Sequence, residues 1–338
     1  MQAAAATVLA VSAAPVVEPS KAYAAPSDSK AEPVGIVQTV QGPLAASKLG
    51  FTLTHEHVGN SSMEAYGSRA NCVAKAVEKL KEARAAGIDT VVDVTTFDIG
   101  RDIRFREEVS RKSCMQIVAC TGQHLFAPKS LNARSIQEIT DLFVREIERG
   151  IDDTDLRAGV IKVASRAGAM TPAEEKVFRA AARASKATDV PIQTHTNSRL
   201  RGGEKQADLF EAEGVNPARV SLGHSDDTDD LEYLLGLLKR GYTLGMDHTF
   251  WGLAPGATLP WQRRAECIKQ VVDAGFAQKL FFSNDWVLGD TAREKINPEG
   301  MLFTVHRTIP YLKQIGVTQR DLHTITIVNP ARFFGRTG

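Results

Sequence analysis

Phe51-Thr52-Leu53-Thr54-His55-Glu56-His57 is an apolar, β-branched run that ends on two histidines. Side chains alternate along a strand, so His55 and His57 face one way and Glu56 the other, and two imidazoles on one face can share a cation. The run at 51–54 is the first of a series: short apolar stretches recur at 89–94, 116–121, 158–163, 190–194, 220–223, 243–246 and 280–283, each followed by a longer segment of helical character. Strands and helices in regular alternation predict βαβ units and a parallel sheet. Eight such units predict a closed (β/α)8 TIM barrel, an α/β fold whose chemistry belongs at the C-terminal ends of the strands.

The connecting segments carry helix signals. In Ser135-Ile136-Gln137-Glu138 the serine can cap and the glutamate can reach back, ahead of an apolar stripe of Ile139, Leu142, Phe143 and Ile147. A chain of 338 residues that is 43% hydrophobic suffices for one such barrel with terminal additions. The balance of 41 basic against 40 acidic side chains, with no long block of either sign, offers no footprint for nucleic acid.

Residues 1–33 read differently from the rest. An Ala/Val-rich stretch from Ala3 to Val17 leads to Ala22-Tyr23-Ala24, which has the small-x-small form of a signal-peptidase site, although no Lys or Arg precedes Lys21. This predicts a truncated export signal and leader, a single barrel domain over 34–338, and a periplasmic or secreted protein. No other apolar run approaches the length needed to cross a bilayer. Cys72, Cys114, Cys120 and Cys267 match no zinc-knuckle or CxxC spacing, so buried thiols are expected and no disulfide is assigned.

Polar residues at the predicted strand ends are specific. Gly159-Val160-Ile161-Lys162-Val163-Ala164 sets a lysine inside an apolar run, where an ammonium is costly unless it is paired or chemically changed. The fifth strand ends in Thr194-His195-Thr196, the sixth in Gly223-His224-Ser225-Asp226-Asp227 and the eighth in Ser283-Asn284-Asp285-Trp286. With His55 and His57, these put four of the chain's eight histidines, an aspartate and a buried lysine at barrel-top positions, which predicts a metal site.

This arrangement of HxH, Lys, His, His and Asp on strands one, four, five, six and eight resembles the phosphotriesterase family of the amidohydrolase superfamily. The likeness extends through Phe97-Asp98-Ile99-Gly100-Arg101-Asp102, the run from Gly223 to Asp230, Ser283-Asn284-Asp285-Trp286 and Asn329-Pro330-Ala331-Arg332-Phe333. It implies that His55, His57 and Asp285 hold one divalent metal, that His195 and His224 hold a second, and that Lys162 is carboxylated by carbon dioxide to bridge both. A carbamate would turn a costly buried cation into an anion with two oxygens. Nitrogen and oxygen donors without thiolate suit zinc, and also cobalt or manganese. The resemblance further implies that Asp285 passes a proton through His248 to Asp227. The implied activity is hydrolysis of phosphotriesters, of the aryldialkylphosphatase type, by a hydroxide held between the metals, with lactones as further substrates. The resemblance also implies a homodimer.

The loops that choose the substrate depart from the pattern. Loop seven runs from Asp247-His248 through Thr249-Phe250-Trp251-Gly252 to Trp261, and loop eight carries Val287-Leu288-Gly289-Asp290 before Asn297-Pro298; both look short. His124 stands where the family's phosphotriesterases tend to have a large aromatic. A lactonase with promiscuous phosphotriesterase activity is therefore the main alternative. The candidate pocket comprises His124, Leu125, Phe250, Trp251, Trp261, Val287 and Leu288. A non-catalytic exported zinc-binding protein would account for the histidines alone, and would close the coordination shell rather than leave a position for water. Amide-ring or nucleobase-analogue cleavage fits other branches of the superfamily better than these motifs. The expected partner is a small-molecule ester, with neither nucleic acid nor membrane.

Overall fold

The computed structural model describes residues 35–59, 65–124 and 133–336; the leader at 1–33 lies outside them. A short antiparallel hairpin, β1 (Ile36–Thr39) and β2 (Gly42–Ala45), comes first and had no counterpart in the strand–helix alternation. Thr39 tightens its turn, accepting from Gln41 N at 3.1 Å and donating to Gly42 O at 2.8 Å.

All eight expected strands follow in one parallel sheet: β3 (Thr52–Glu56), β4 (Thr90–Asp93), β5 (Gln116–Gln123), β6 (Val160–Ala164), β7 (Ile192–His195), β8 (Val220–Leu222), β9 (Thr243–Met246) and β10 (Leu280–Phe282). Period-two alternation divides their apolar side chains. Leu53, Val91, Ile117, Ile161, Val163 and Leu244 belong to the core shared with the helices. Val92, Val118, Cys120, Val160 and Phe281 form a second cluster with Val37 and Leu49 of the N-terminal segment and Phe333 and Phe334 of the C-terminal one. The barrel is thus plugged by side chains at its floor, which leaves the opposite end for polar groups.

Helices α1 (Arg69–Ala85), α2 (Ile103–Ser113), α3 (Ile136–Glu148), α4 (Pro172–Thr188), α5 (Gly202–Ala212), α6 (Leu231–Lys239) and α7 (Trp261–Asp273) surround the sheet. The capping box at Ser135 and Glu138 forms as expected, and Thr171 with Glu174 makes another in front of Pro172. Among the described residues no helix is long and apolar enough to cross a membrane. All four cysteines are free; Cys114 departs from the expectation of burial, being the exposed left-handed residue that ends α2.

The sheet closes between its first and last strands through the backbone. Asp285 N donates to His55 O at 3.0 Å, His57 N to Trp286 O at 2.7 Å and Leu288 N to His57 O at 3.1 Å. Glu56, facing away from the histidines, is buried in this seam. One of its oxygens accepts from Ser283 Oγ at 2.7 Å, Asn284 N at 2.8 Å and Asn284 Nδ2 at 3.2 Å, and the other from Trp286 N at 2.7 Å. Burial pushes its carboxyl up to about 8 against the pull of those donors. Above that value, where the carboxylate is ionised, Glu56→Gln would set an amide NH2 against N–H and O–H donors, and should cost about 2–3 kcal/mol of stability. Thermal unfolding checks this; an unchanged Tm would mean that the seam holds without the carboxylate.

Candidate metal centre

The site is organised by an aspartate that the strand-end reading passed over. Asp247 directly follows β9, and its two oxygens divide between two imidazoles: Oδ2 lies 2.8 Å from His55 Nδ1 and Oδ1 lies 2.8 Å from His224 Nδ1. Oδ1 also accepts from His224 N at 2.8 Å. A carboxylate only accepts, so Nδ1 of His224 carries its proton and its Nε2 presents a lone pair to the barrel mouth; the approach of Asp247 to Nδ1 of His55 favours the same arrangement there. His57 is turned the same way, with Nδ1 2.9 Å from Thr95 Oγ1 and Nε2 3.1 Å from Asp285 Oδ1.

Around those lone pairs the other donors converge. Lys162 Nζ lies 2.8 Å from His55 Nε2, and His195 Nδ1 lies 2.7 Å from His224 Nε2. Burial lowers the Lys162 amine to about 8 and His55 to about 3, and holds His195 well below the ordinary imidazole value. Proton-poor amine and imidazoles are the forms that bind cations. Backbone without side chains makes the room: a Cβ on Gly223 would stand 2.4 Å from Thr194 O and 3.3 Å from both His55 Nδ1 and Asp247 Oδ2.

His55, His57 and Asp285 offer atoms within the reach of one metal ion, as do His224, His248 and Asp285. Asp247, His55 and His224 also bring their donor atoms equally close together. Its oxygens, however, face the Nδ1–H sides, so it orients two donors rather than adding a third. The donor set fits divalent metal, and these buried groups can hold metal ions.

Asp285 is itself fixed from several sides. Arg293 Nη1 lies 2.6 Å from its Oδ2 and also bonds its backbone oxygen, and His248 Nε2 lies 3.1 Å from Oδ2. Burial opposes ionisation, but Arg293, His248 and His57 hold the carboxyl well below the usual range. His248 turns its other nitrogen to Asp227 Oδ2 at 3.0 Å, and Arg264 takes Asp227 Oδ1 at 2.6 Å. Against the effect of burial, Asp227 and Asp285 raise His248 to about 10. His224 and Asp285 both adopt left-handed backbone, φ 56° and 46°. Non-glycine residues hold that conformation at a cost of order 1–3 kcal/mol, where surrounding contacts impose it.

Every metal-ligand and relay residue expected from the sequence is brought to this end of the barrel. The pocket residues divide. A cavity of about 470 Å3 opens above His195, His224 and His248, and of the expected wall residues Trp251 lines it. Phe250 stacks behind Trp251 with centroids 5.0 Å apart. His124 lies 5.3 Å from the His195 ring, its nitrogen pushed down to about 2 by burial. Trp261 instead opens α7 and packs on Phe303 and Tyr311, at 5.8 and 5.2 Å. Val287 pairs with His57 in the closing seam and Leu288 joins the outer core, so neither is cavity wall. Leu125 lies outside the described residues. Thr196, Asn197, Arg199, Asp227 and the 254–258 loop complete the wall; of these, Asn197, Arg199 and the loop carry no local sequence signal. Asp247 did carry one, as an acid at a strand end beside His248; Thr95, Arg264 and Arg293 reach the site only through tertiary packing.

The profile of the phosphotriesterase family matches residues 35–334. A phosphotriesterase homology protein of Mycobacterium tuberculosis is 37% identical over 326 residues, covering 89% of this chain and 98% of that protein. An aryldialkylphosphatase of Saccharolobus solfataricus is 34% identical, covering 86% of this chain and 96% of its own. An N-acetyltaurine hydrolase of Salmo salar is 25% identical, covering 88% and 97%. The solved structure of the phosphotriesterase from Mycobacterium tuberculosis superposes with a TM-score of 0.82 at 36% identity, covering 88% of this chain and 98% of that one. Barrel, site and relatives agree: the chain belongs to the phosphotriesterase family and is a hydrolase.

Proposed function

We propose that the protein is a binuclear metal-dependent hydrolase of phosphotriesters and lactones. The observation that carries this reading is the gathering of His55, His57 and His224 around Lys162 and Asp285, with His195 against His224 and the His248–Asp227 pair directly behind Asp285. His55, His57 and Asp285 would hold one divalent cation and His195 and His224 the other, zinc being the default for such donors. Bound there, the metals would lower the pKa of a water between them and polarise the phosphoryl or carbonyl oxygen.

The remaining steps belong to the chain. Lys162, with its amine lowered to about 8, keeps a neutral fraction that can add carbon dioxide; the carbamate supplies two oxygens where an ammonium would repel cations. Asp285 receives the proton released as water adds to the electrophile, and His248 carries it toward Asp227 over contacts of 3.1 and 3.0 Å. Against burial, His248 and then Arg264 hold the Asp227 carboxyl well below the usual range, and Arg264 keeps it in place at 2.6 Å. None of these steps distinguishes phosphorus from a lactone carbonyl. Trp251 and the 254–258 loop, which line the cavity, are the groups positioned to do so. A predominantly lactonase enzyme is the second reading, supported by the histidine at 124 and the short loops seven and eight.

Chelation should abolish turnover of a chromogenic triester, and Zn2+, Co2+ or Mn2+ should restore it, with about two ions per chain by elemental analysis at full activity. Full activity in metal-free protein would end this reading. Lys162→Ala should lose metal and activity, then recover part of both when a short carboxylic acid is supplied with the metal; absence of any rescue would remove the carbamate while leaving the histidine site. Asp247→Asn should weaken metal affinity on the order of 10–100-fold, since an amide cannot fix both imidazole tautomers. Competition with a metal indicator measures it, and an unchanged affinity would show that the imidazoles are oriented without Asp247.

A further inference from the structure

Arg199 stands four residues after His195 in the turn Ser198–Leu200, on the wall of the cavity above the imidazoles. The turn is fixed from both sides. Ser198 Oγ donates to His224 O, and Asn197 accepts from Leu200 N at 3.3 Å while donating to Arg166 O at 2.9 Å. Arg199 Nε donates to Asp227 O at 3.2 Å, which sets the plane of the guanidinium.

The charge of Arg199 is unbalanced. Arg201, Arg263, Arg264 and Arg293, around the same end of the barrel, are each within ion-pair reach of a carboxylate: Glu204, Asp229, Asp227 and Asp285. Among the described residues Arg199 has no such partner. Asp227 is the acidic side chain on the cavity wall, and it is already shared by His248 and Arg264. The rest of the wall is apolar or neutral, with Trp251, Ala254, Pro255 and Ala257 beside Asn197 and Thr258. The cavity therefore combines a floor of imidazoles, an apolar wall, and one guanidinium with its terminal nitrogens free to take an oxyanion through two of its oxygens.

We infer that the substrate of this site carries a monoanionic oxyanion group, such as a carboxylate or sulfonate, at the end away from the scissile bond, and that Arg199 binds it. A neutral triester or simple lactone would use the floor and the apolar wall and leave Arg199 unpaired. The inference rests on the hydrolase reading and names its substrate class; Arg199 acts in specificity, through a group that takes no part in bond cleavage.

The test uses the full zinc-loaded chain and two γ-lactones alike except that the side chain of one ends in a carboxylate and that of the other in the methyl amide. Wild type should prefer the carboxylate, and Arg199→Gln should lower the anionic-to-neutral ratio of kcat/KM by on the order of tenfold, through KM. Arg199→Lys should keep part of the preference, and added salt should erode it in wild type. A ratio that does not move in Arg199→Gln overturns the inference. Turnover of neither lactone would count against the lactone-hydrolase reading instead, and calorimetric titration with 4-methylbenzenesulfonate would then decide. Weaker binding to Arg199→Gln than to wild type supports the oxyanion site, and equal binding overturns it.

Discussion

Glu56 never faces the cavity, yet the geometry of the cavity depends on it. A barrel needs its last strand to find its first, and here the joining segment, Ser283 to Trp286, departs from strand geometry at Asp285, where φ is 46°. The four donors that Glu56 gathers lie on either side of that residue. Asp285 can therefore aim its carboxylate at His57 and His248 because its neighbours are bound to a buried acceptor on the first strand. Closure of the fold and placement of a site residue are one interaction. The alternation in His55-Glu56-His57 makes this possible: the same three residues supply two donors to the mouth and one acceptor to the seam.

Asp247 plays the corresponding part on the inner side. Two imidazoles that could each present either nitrogen are set by a single carboxylate between them, which hydrogen-bonds Nδ1 of His224 and approaches Nδ1 of His55 to 2.8 Å. Preorganisation of this kind removes a conformational cost that metal binding would otherwise bear. It also requires bare backbone nearby, which is why Gly223 precedes His224. A run of ionised groups then continues outward, from Asp285 through His248 and Asp227 to Arg264, each neutralising the last. Arg199, just beyond that run, is left with its charge unspent, and the cavity acquires a polarity that the metal site alone does not dictate.

Specificity and chemistry occupy different parts of the same face. The donors sit on strand ends and on residues that immediately follow them, where backbone hydrogen bonding fixes position. The cavity wall comes from the turn at 198–200 and the loop at 254–258, which lie outside the sheet. Relatives named aryldialkylphosphatase and N-acetyltaurine hydrolase match most of this chain. Loops on a rigid barrel are the parts free to vary without disturbing the strand ends.

The order of strands and helices, the eight parallel strands and the residues at their C-terminal ends were legible in the sequence because each is a local signal. Apolar period, capping residues and a histidine or lysine inside an apolar run need only a few neighbouring positions to be read. Capping at Ser135 and the inward turn of His55, His57 and Lys162 are of this kind. The hairpin at 36–45 was not legible, its strands being too short and mixed to show a period. The environment of each side chain was decided by tertiary structure. Trp261 looked like a pocket residue until α7 turned it onto Phe303 and Tyr311, and Val287 and Leu288 went to the seam and the outer core. Arg264 meets Asp227 across 37 residues and Glu56 meets Trp286 across 230. A sequence fixes which groups a strand end can offer; which of them share a proton, a cation or a wall depends on distances between segments that no local pattern encodes.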